Sequence, residues 1–198
     1  MIDDTIFVVV GENGEAFHEN NTVGHAREPY EPAIHVATVM FGPKYFQPRS
    51  EDYPLEHVDL LPTLFARIGL TPHPNFQGID VLAADRPPLE QRLLFCHVIS
   101  PASTADSILW AGRWKYMWDH LRKKPSLYDL KNDPGEANNL ATRLPDLSDA
   151  LQKQLIQWRD RQLAYYHFPK YYRNFYPPKP PRISDDTLNV IRKYLQRS

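Results

Sequence analysis

An apolar, β-branched run from Ile6 to Val10 stops at Gly11, and polar residues follow at once: Glu12, Asn13, Glu15, His18, Glu19, Asn20 and His25. The run reads as a buried strand of a parallel or mixed sheet. Ile34 to Phe41 is a second β-rich run, closed by Gly42-Pro43. His57 to Leu70 reads as a helix that Asp59 caps, with Pro62 in its first turn and Gly69 at its end. Its apolar positions Val58, Leu61, Phe65 and Ile68 share one face, expected to pack on the first sheet. Pro72 to Pro88 is a proline-rich connector. Leu93–Ile99 is a further strand, and Ser107–Trp110 with Trp114–Trp118 flank Ala111-Gly112-Arg113 as a hairpin. Leu127–Leu130 adds another antiparallel strand, and Asp133-Pro134-Gly135 is a turn by composition. Leu147, Leu151, Leu155 and Trp158 recur at helical spacing on a helix running to about Ala164. The segment Tyr165 to Arg182 is aromatic, basic and proline-rich, and a short helix from Asp185 to Leu195 follows it.

The pattern predicts an α/β chain of two sheets. Ile6–Val10 and Ile34–Phe41 belong to the first, and the Leu93–Leu130 strands form a smaller antiparallel sheet covered by the Leu147–Trp158 helix. It divides as 1–90, 91–164 and a tail, 165–198. A core-type strand within a few residues of Met1 also suggests the C-terminal part of a longer protein, because parallel neighbours need crossovers of about a dozen residues or more. The open edge of such a sheet is expected to make the chain self-associate.

Composition narrows the partners. The formal charge is −1, so no electrostatic surface for nucleic acid or an acidic membrane is implied. The aromatic tail could be taken for a base-stacking platform, but without a basic funnel it reads better as a cover over the domain. No apolar run approaches the ~18–20 residues that span a bilayer, and no basic-then-apolar leader is visible. Cys96 is the only cysteine, which excludes an internal disulfide.

The loop after Val10 carries the candidate chemistry. Ligand sites of open α/β sheets lie at the carboxyl ends of strands. Carboxylate and amide oxygens there suit a hard cation such as Ca²⁺ or Mg²⁺ beside an anionic substrate. The plainer reading of Asn13-Gly14 is a turn pair. His18 and His25 are seven residues apart and lack the short repeat of a helical zinc site. Glu15 and Glu19 read as loop-shaping, and Lys115, between Trp114 and Tyr116, as a solvated hairpin residue.

Several segments then fall in a familiar order. The strand followed by Gly11-Glu12-Asn13-Gly14-Glu15, Gly24-His25 and Tyr30-Glu31 resembles the C-terminal portion of sulfatases and their relatives in the alkaline phosphatase-like superfamily. Tyr30-Glu31-Pro32-Ala33-Ile34-His35-Val36 is similar to the family's Y-E-E-A-I-R-V, and the stretch from His57 to Leu64 to its H-V-D-L-L-P-T-L. Phe76-Gln77-Gly78 fits F-Q-G. Gly112 to Tyr116, then Leu127 to Glu136 and Asn139-Leu140, resemble G-x-x-K-Y and L-Y-D-L-x-x-D-P-x-E-x-x-N-L. The resemblance covers Asp4 to about Trp158.

The resemblance implies a partial alkaline phosphatase-like sheet and a metal-dependent hydrolase of sulfate or phosphate esters. Glu12 and Asn13 stand where the family holds its divalent cation, and His25 where it contacts the substrate's anionic oxygens. Lys115 is a weaker candidate on the substrate side. Glu12 replaces the usual Asp, and Asn20 stands where many relatives have His. The family's nucleophile, a formylglycine made in C/S-x-P-S-R, and its first acidic ligands belong to the N-terminal half, the partner this chain would need. Cys96 lacks the Pro and Arg of that motif. Two alternatives remain: a truncated or degenerate non-catalytic module, and a transferase of phosphate-linked head groups. Family members are commonly exported or membrane-associated.

Overall fold

The computed structural model describes residues 2–25, 27–101, 103–167 and 177–195. Much of the Tyr165–Arg182 segment therefore lies outside the described residues. The strands fall into three sheets. β1 (Phe7–Val10) pairs with β4 (Thr38–Phe41), β2 (Ala16–Phe17) pairs with β3 (Val23–Gly24), and β5 to β8 form a four-stranded meander.

The second sheet follows its sequence pattern closely. β5 (Leu93–Ser100), β6 (Ser103–Trp110), β7 (Trp114–Asp119) and β8 (Lys124–Asp129) run antiparallel in chain order. Ala111 and Gly112 both take positive φ, 54° and 63°, as the primed turn of a tight hairpin requires. One face of this sheet presents Ile108, Trp110, Trp114, Tyr116 and Leu127 to α3 (Pro145–His167) and α4 (Asp185–Leu195). Leu147 and Leu151 are fully buried there, and Trp158 stacks on Phe95 at 5.0 Å. Asp106, buried on this side, bonds His97 Nδ1 and His120 Nε2 at 2.6 Å each, with Arg159 of α3 at 3.5 Å. Ser184 caps α4 by accepting the Thr187 N–H. Leu188, Ile191 and Tyr194 of α4 complete the core.

The first sheet departs from expectation in three ways. β1 and β4 are antiparallel neighbours, Phe7 opposite Phe41 and Val10 opposite Thr38. The first residues of the Ile34–Phe41 run are not strand, because Glu31–Ile34 winds into a short helix, α1, with Pro32 in its first turn. α1 packs so tightly on the loop after β1 that a Cβ on Gly14 would sit 2.1 Å from the Pro32 carbonyl oxygen. The face of β1 and β4 bearing Phe7, Val9, Val39 and Phe41 is exposed.

The third departure is the orientation of α2 (Leu60–Arg67), which a 3-10 turn at His57–Asp59 precedes. Val58, Leu61 and Ile68 of the expected core stripe are about half exposed, whereas Asp59, Pro62 and Thr63 are buried. Hydrogen bonding decides this. Asp59 Oδ1 accepts the Ile79 N–H at 2.8 Å, its Oδ2 accepts the Glu56 N–H at 2.8 Å, and the Arg92 guanidinium closes on the same oxygen. Asp59 stands at the N-terminus of α2 but its side chain makes no capping bond to that helix; it serves the Glu56 and Ile79 N–H groups and a long-range ion pair instead. Thr63 Oγ1 accepts the Val81 N–H at 3.1 Å. Together they seat Phe76–Val81 against the start of α2, where a Cβ on Gly78 would lie 2.1 Å from the Val58 carbonyl oxygen.

Glu56 gives this junction a pH dependence. Its carboxyl is pushed up from 4.5 to about 7, chiefly because burial outweighs the attraction of the Phe95 N–H and Arg92. Between those values the folded chain holds a proton that the unfolded chain has released. This contribution is fully present below about pH 4.5 and is lost as the pH rises through about 7. Glu56→Gln is expected to flatten denaturation midpoints across that window. An unchanged slope would place the titration elsewhere.

Candidate active site and relatives

The polar loop leaves β1 at Gly11, whose N–H donates to Ala37 O at 3.1 Å and whose carbonyl lies 2.9 Å from His57 Nε2. Gly14 N–H then donates to Ala33 O at 2.9 Å, tying the loop to α1. Glu12 and Asn13 lie between these anchors with exposed side chains. Asn13 Nδ2 donates to the Gly14 carbonyl at 2.8 Å, so its amide oxygen remains the group's ligating atom. Glu12 and Asn13 are oxygen donors of the right chemistry for a hard cation. Among the described residues no group of three or more His, Cys, Asp or Glu side chains is arranged to hold a metal ion.

The β2–β3 hairpin follows, a feature not read in the sequence. Its turn takes positive φ at His18, Asn20 and Asn21, residues the hairpin reverses through without glycine. Glu19 accepts the Phe17 N–H, and such backbone bonds hold its carboxyl below the ordinary carboxylate value. His25, just past β3, has Nδ1 2.9 Å from Glu15 Oε2, both about half exposed. That contact orients the imidazole and leaves Nε2 for another partner. Glu15 is thus the carboxylate that sets the His25 ring.

Asn20 is engaged by the second sheet. Its Nδ2 donates to the carbonyls of Gly135 and Glu136, at 3.0 and 3.2 Å, so it serves as a tether between the hairpin and the turn after β8. Lys115 is not on a solvated face. It is 1% exposed on the sheet face opposite α3, with Nζ 2.9 Å from Glu31 Oε1 and 2.8 Å from Glu136 Oε1. Burial raises the Glu136 carboxyl, and Lys115 opposes the rise. Cys96, pushed up to about 11 by burial, keeps its thiol protonated at neutral pH.

Other family-like segments have structural explanations here. Arg113 grips Asp129 through two bonds of 2.7 Å, and Asn139 Oδ1 accepts the Leu127 and Ala141 N–H groups beside strand β8. No helix among the described residues is long and apolar enough to cross a membrane.

No family model matches the chain. Over 167 residues, 78% of the chain, it is 27% identical to arylsulfatase K of Mus musculus, of which the match covers 30%. The chain thus spans about a third of the length of the curated relatives it matches. Its fold superposes on a 2-O GAG sulfatase with a TM-score of 0.65 and 22% identity, over 94% of this chain and 41% of that one. A structure solved with its substrate D-glucosamine-2-N,6-O-disulfate matches with a TM-score of 0.65 and 21% identity, over 83% of this chain and 35% of that one. Sequence likeness and shared fold converge: the chain is similar to arylsulfatases in sequence and has the fold of the C-terminal part of solved sulfatases.

Proposed function

We propose that this chain supplies the C-terminal portion of a metal-assisted sulfate-ester hydrolase. The observation that carries the reading is the polar loop at the end of β1, where Glu12, Asn13 and the Glu15-oriented His25 follow one another in a chain related to arylsulfatases. Glu12 and Asn13 would hold Ca²⁺ or Mg²⁺, which when bound neutralises charge on the ester's non-bridging oxygens. His25 would bind a sulfate oxygen or the leaving-group oxygen through Nε2, while Glu15 keeps the ring in place. The nucleophile, a formylglycine in this family, and the remaining cation ligands would come from an N-terminal half. A sulfated sugar is the substrate class favoured by the relative solved with a disulfated glucosamine.

That half would also have a place to sit. Phe7, Val9, Val39 and Phe41 on the first sheet, with Leu61 on α2 and Val58 and Ile68 flanking it, expose apolar side chains that a larger fold would cover. In this reading residues 1–90 belong to the catalytic core, and 91–164 form the supporting sheet and helix, whose core α4 completes from the tail. A second reading is a non-catalytic module, and the residue that supports it is Glu12, which stands where the family usually has Asp.

Calcium titration separates the two. Two protein ligands leave most of a shell of roughly 6–8 oxygens to water, so calorimetry on this chain is expected to give a dissociation constant near ~1 mM. Glu12→Ala and Asn13→Ala are each expected to abolish that binding. Binding that survives the double substitution would place the cation elsewhere.

A further inference from the structure

The four-stranded sheet does more at the candidate site than pack beside it. On the face opposite α3, Lys115 is buried to 1% and lies between two carboxylates from distant segments. A buried ammonium is costly, and an apolar residue of similar size would fill the space without that cost. The ionic pairing does supply something an apolar contact does not: fixed direction. Glu31 opens α1, six residues after His25, and Glu136 closes the turn after β8. Glu136 Oε2 also accepts the Glu31 N–H at 2.6 Å. The backbone of the same turn accepts both bonds from Asn20 at the tip of the β2–β3 hairpin. Glu136 itself takes a positive φ of 53°, an unfavourable backbone state that this bonding holds in place. Tyr30 packs on Tyr128 beside it, with ring centroids 6.1 Å apart.

The hairpin and α1 bracket His25 in sequence, and both end on one turn of the second sheet. We propose that Lys115, Glu31, Glu136 and Asn20 form a positioning clasp through which the second sheet sets where His25 stands beside the end of β1. The clasp residues are positioning residues: none is placed on the substrate. The part of the inference that concerns sulfate rests on His25 being the anion contact. The part that concerns the hairpin does not.

The test uses the full chain with two readouts. Amide hydrogen exchange is followed at Phe17, His18, Thr22 and Val23 of the hairpin and at Ile108 and Tyr116 of the sheet. Sulfate is titrated while the His25 ring is observed by NMR. In Asn20→Ala, which removes two hydrogen bonds and touches no core residue, hairpin exchange is expected to quicken about tenfold, as the loss of one to two ordinary hydrogen bonds implies. Ile108 and Tyr116 should keep their protection. Lys115→Met should do the same to the hairpin, and adding Asn20→Ala to it should produce less than the product of the two effects, because both act through the Glu136 turn. Both variants should weaken the sulfate response of His25, which a merely stabilising role would leave unchanged. Unaltered hairpin exchange in Asn20→Ala and Lys115→Met would overturn the clasp, as would equal acceleration across hairpin and sheet. If the hairpin loosens selectively but sulfate never perturbs His25 in the unsubstituted chain, the clasp stands and the anion-contact reading fails.

Discussion

Asp59→Ala is expected to destabilise the chain by about 3–5 kcal/mol, the cost of breaking a buried ion pair by removing one partner. Asp59 is fully buried, and the Arg92 side chain is only 9% exposed. Removing the carboxylate strands a guanidinium that has Glu56 at 3.7 Å as its remaining acidic neighbour. It also strands the Glu56 and Ile79 N–H groups, each of which donates to Asp59 at 2.8 Å. For a chain of this length the thermal midpoint should fall by roughly 6–20 °C. Asp59→Asn keeps the shape and one acceptor oxygen but not the charge, so its midpoint should lie between those of the two other proteins. Thermal denaturation followed by circular dichroism decides the matter. A midpoint for Asp59→Ala within a degree or two of the unsubstituted chain would show that Arg92 finds other partners and that α2 is not held in its orientation by this pair.

That orientation marks the boundary of what could be read from the residues alone. The second sheet was legible because its information is local: the alternation from Ser107 to Trp118 and the Ala111-Gly112 turn each act within a few residues. The Leu147–Leu155 stripe and α4 were legible for the same reason. The orientation of α2 was not legible: within this chain Asp59, Pro62 and Thr63 are buried and Val58, Leu61 and Ile68 are about half exposed, because the Asp59 carboxylate pairs with a residue 33 positions later. Lys115 failed similarly, since its partners Glu31 and Glu136 lie 84 residues before it and well past the end of β7. The antiparallel pairing of β1 with β4 was hidden because a continuous apolar run does not reveal the direction of its neighbour. At the candidate site, Glu12, Asn13 and His25 came from family-like spacing. The Glu15 contact to His25 and the Asn20 tether needed the hairpin, whose short strands leave no periodic signal.

The larger expected effect is on chemistry. His25 is oriented by Glu15 and half exposed beside the loop that offers Glu12 and Asn13. A donor aimed at charge that develops in the transition state contributes about 10²–10³ in kcat. His25→Ala should therefore lose about that factor in a protein with the complete site, and Asn13→Ala, which removes a proposed cation ligand, should lose more. Glu15→Gln should lose less than either, because it changes only the group that holds the ring. The most direct test is aryl sulfate hydrolysis, measured for this chain alone and joined to a sulfatase N-terminal half that carries the formylglycine motif. The account predicts no turnover by the chain alone, turnover by the joined protein, and loss of that turnover in Asn13→Ala and His25→Ala. Hydrolysis by the chain alone, or full turnover by the joined protein with both residues replaced, would contradict it.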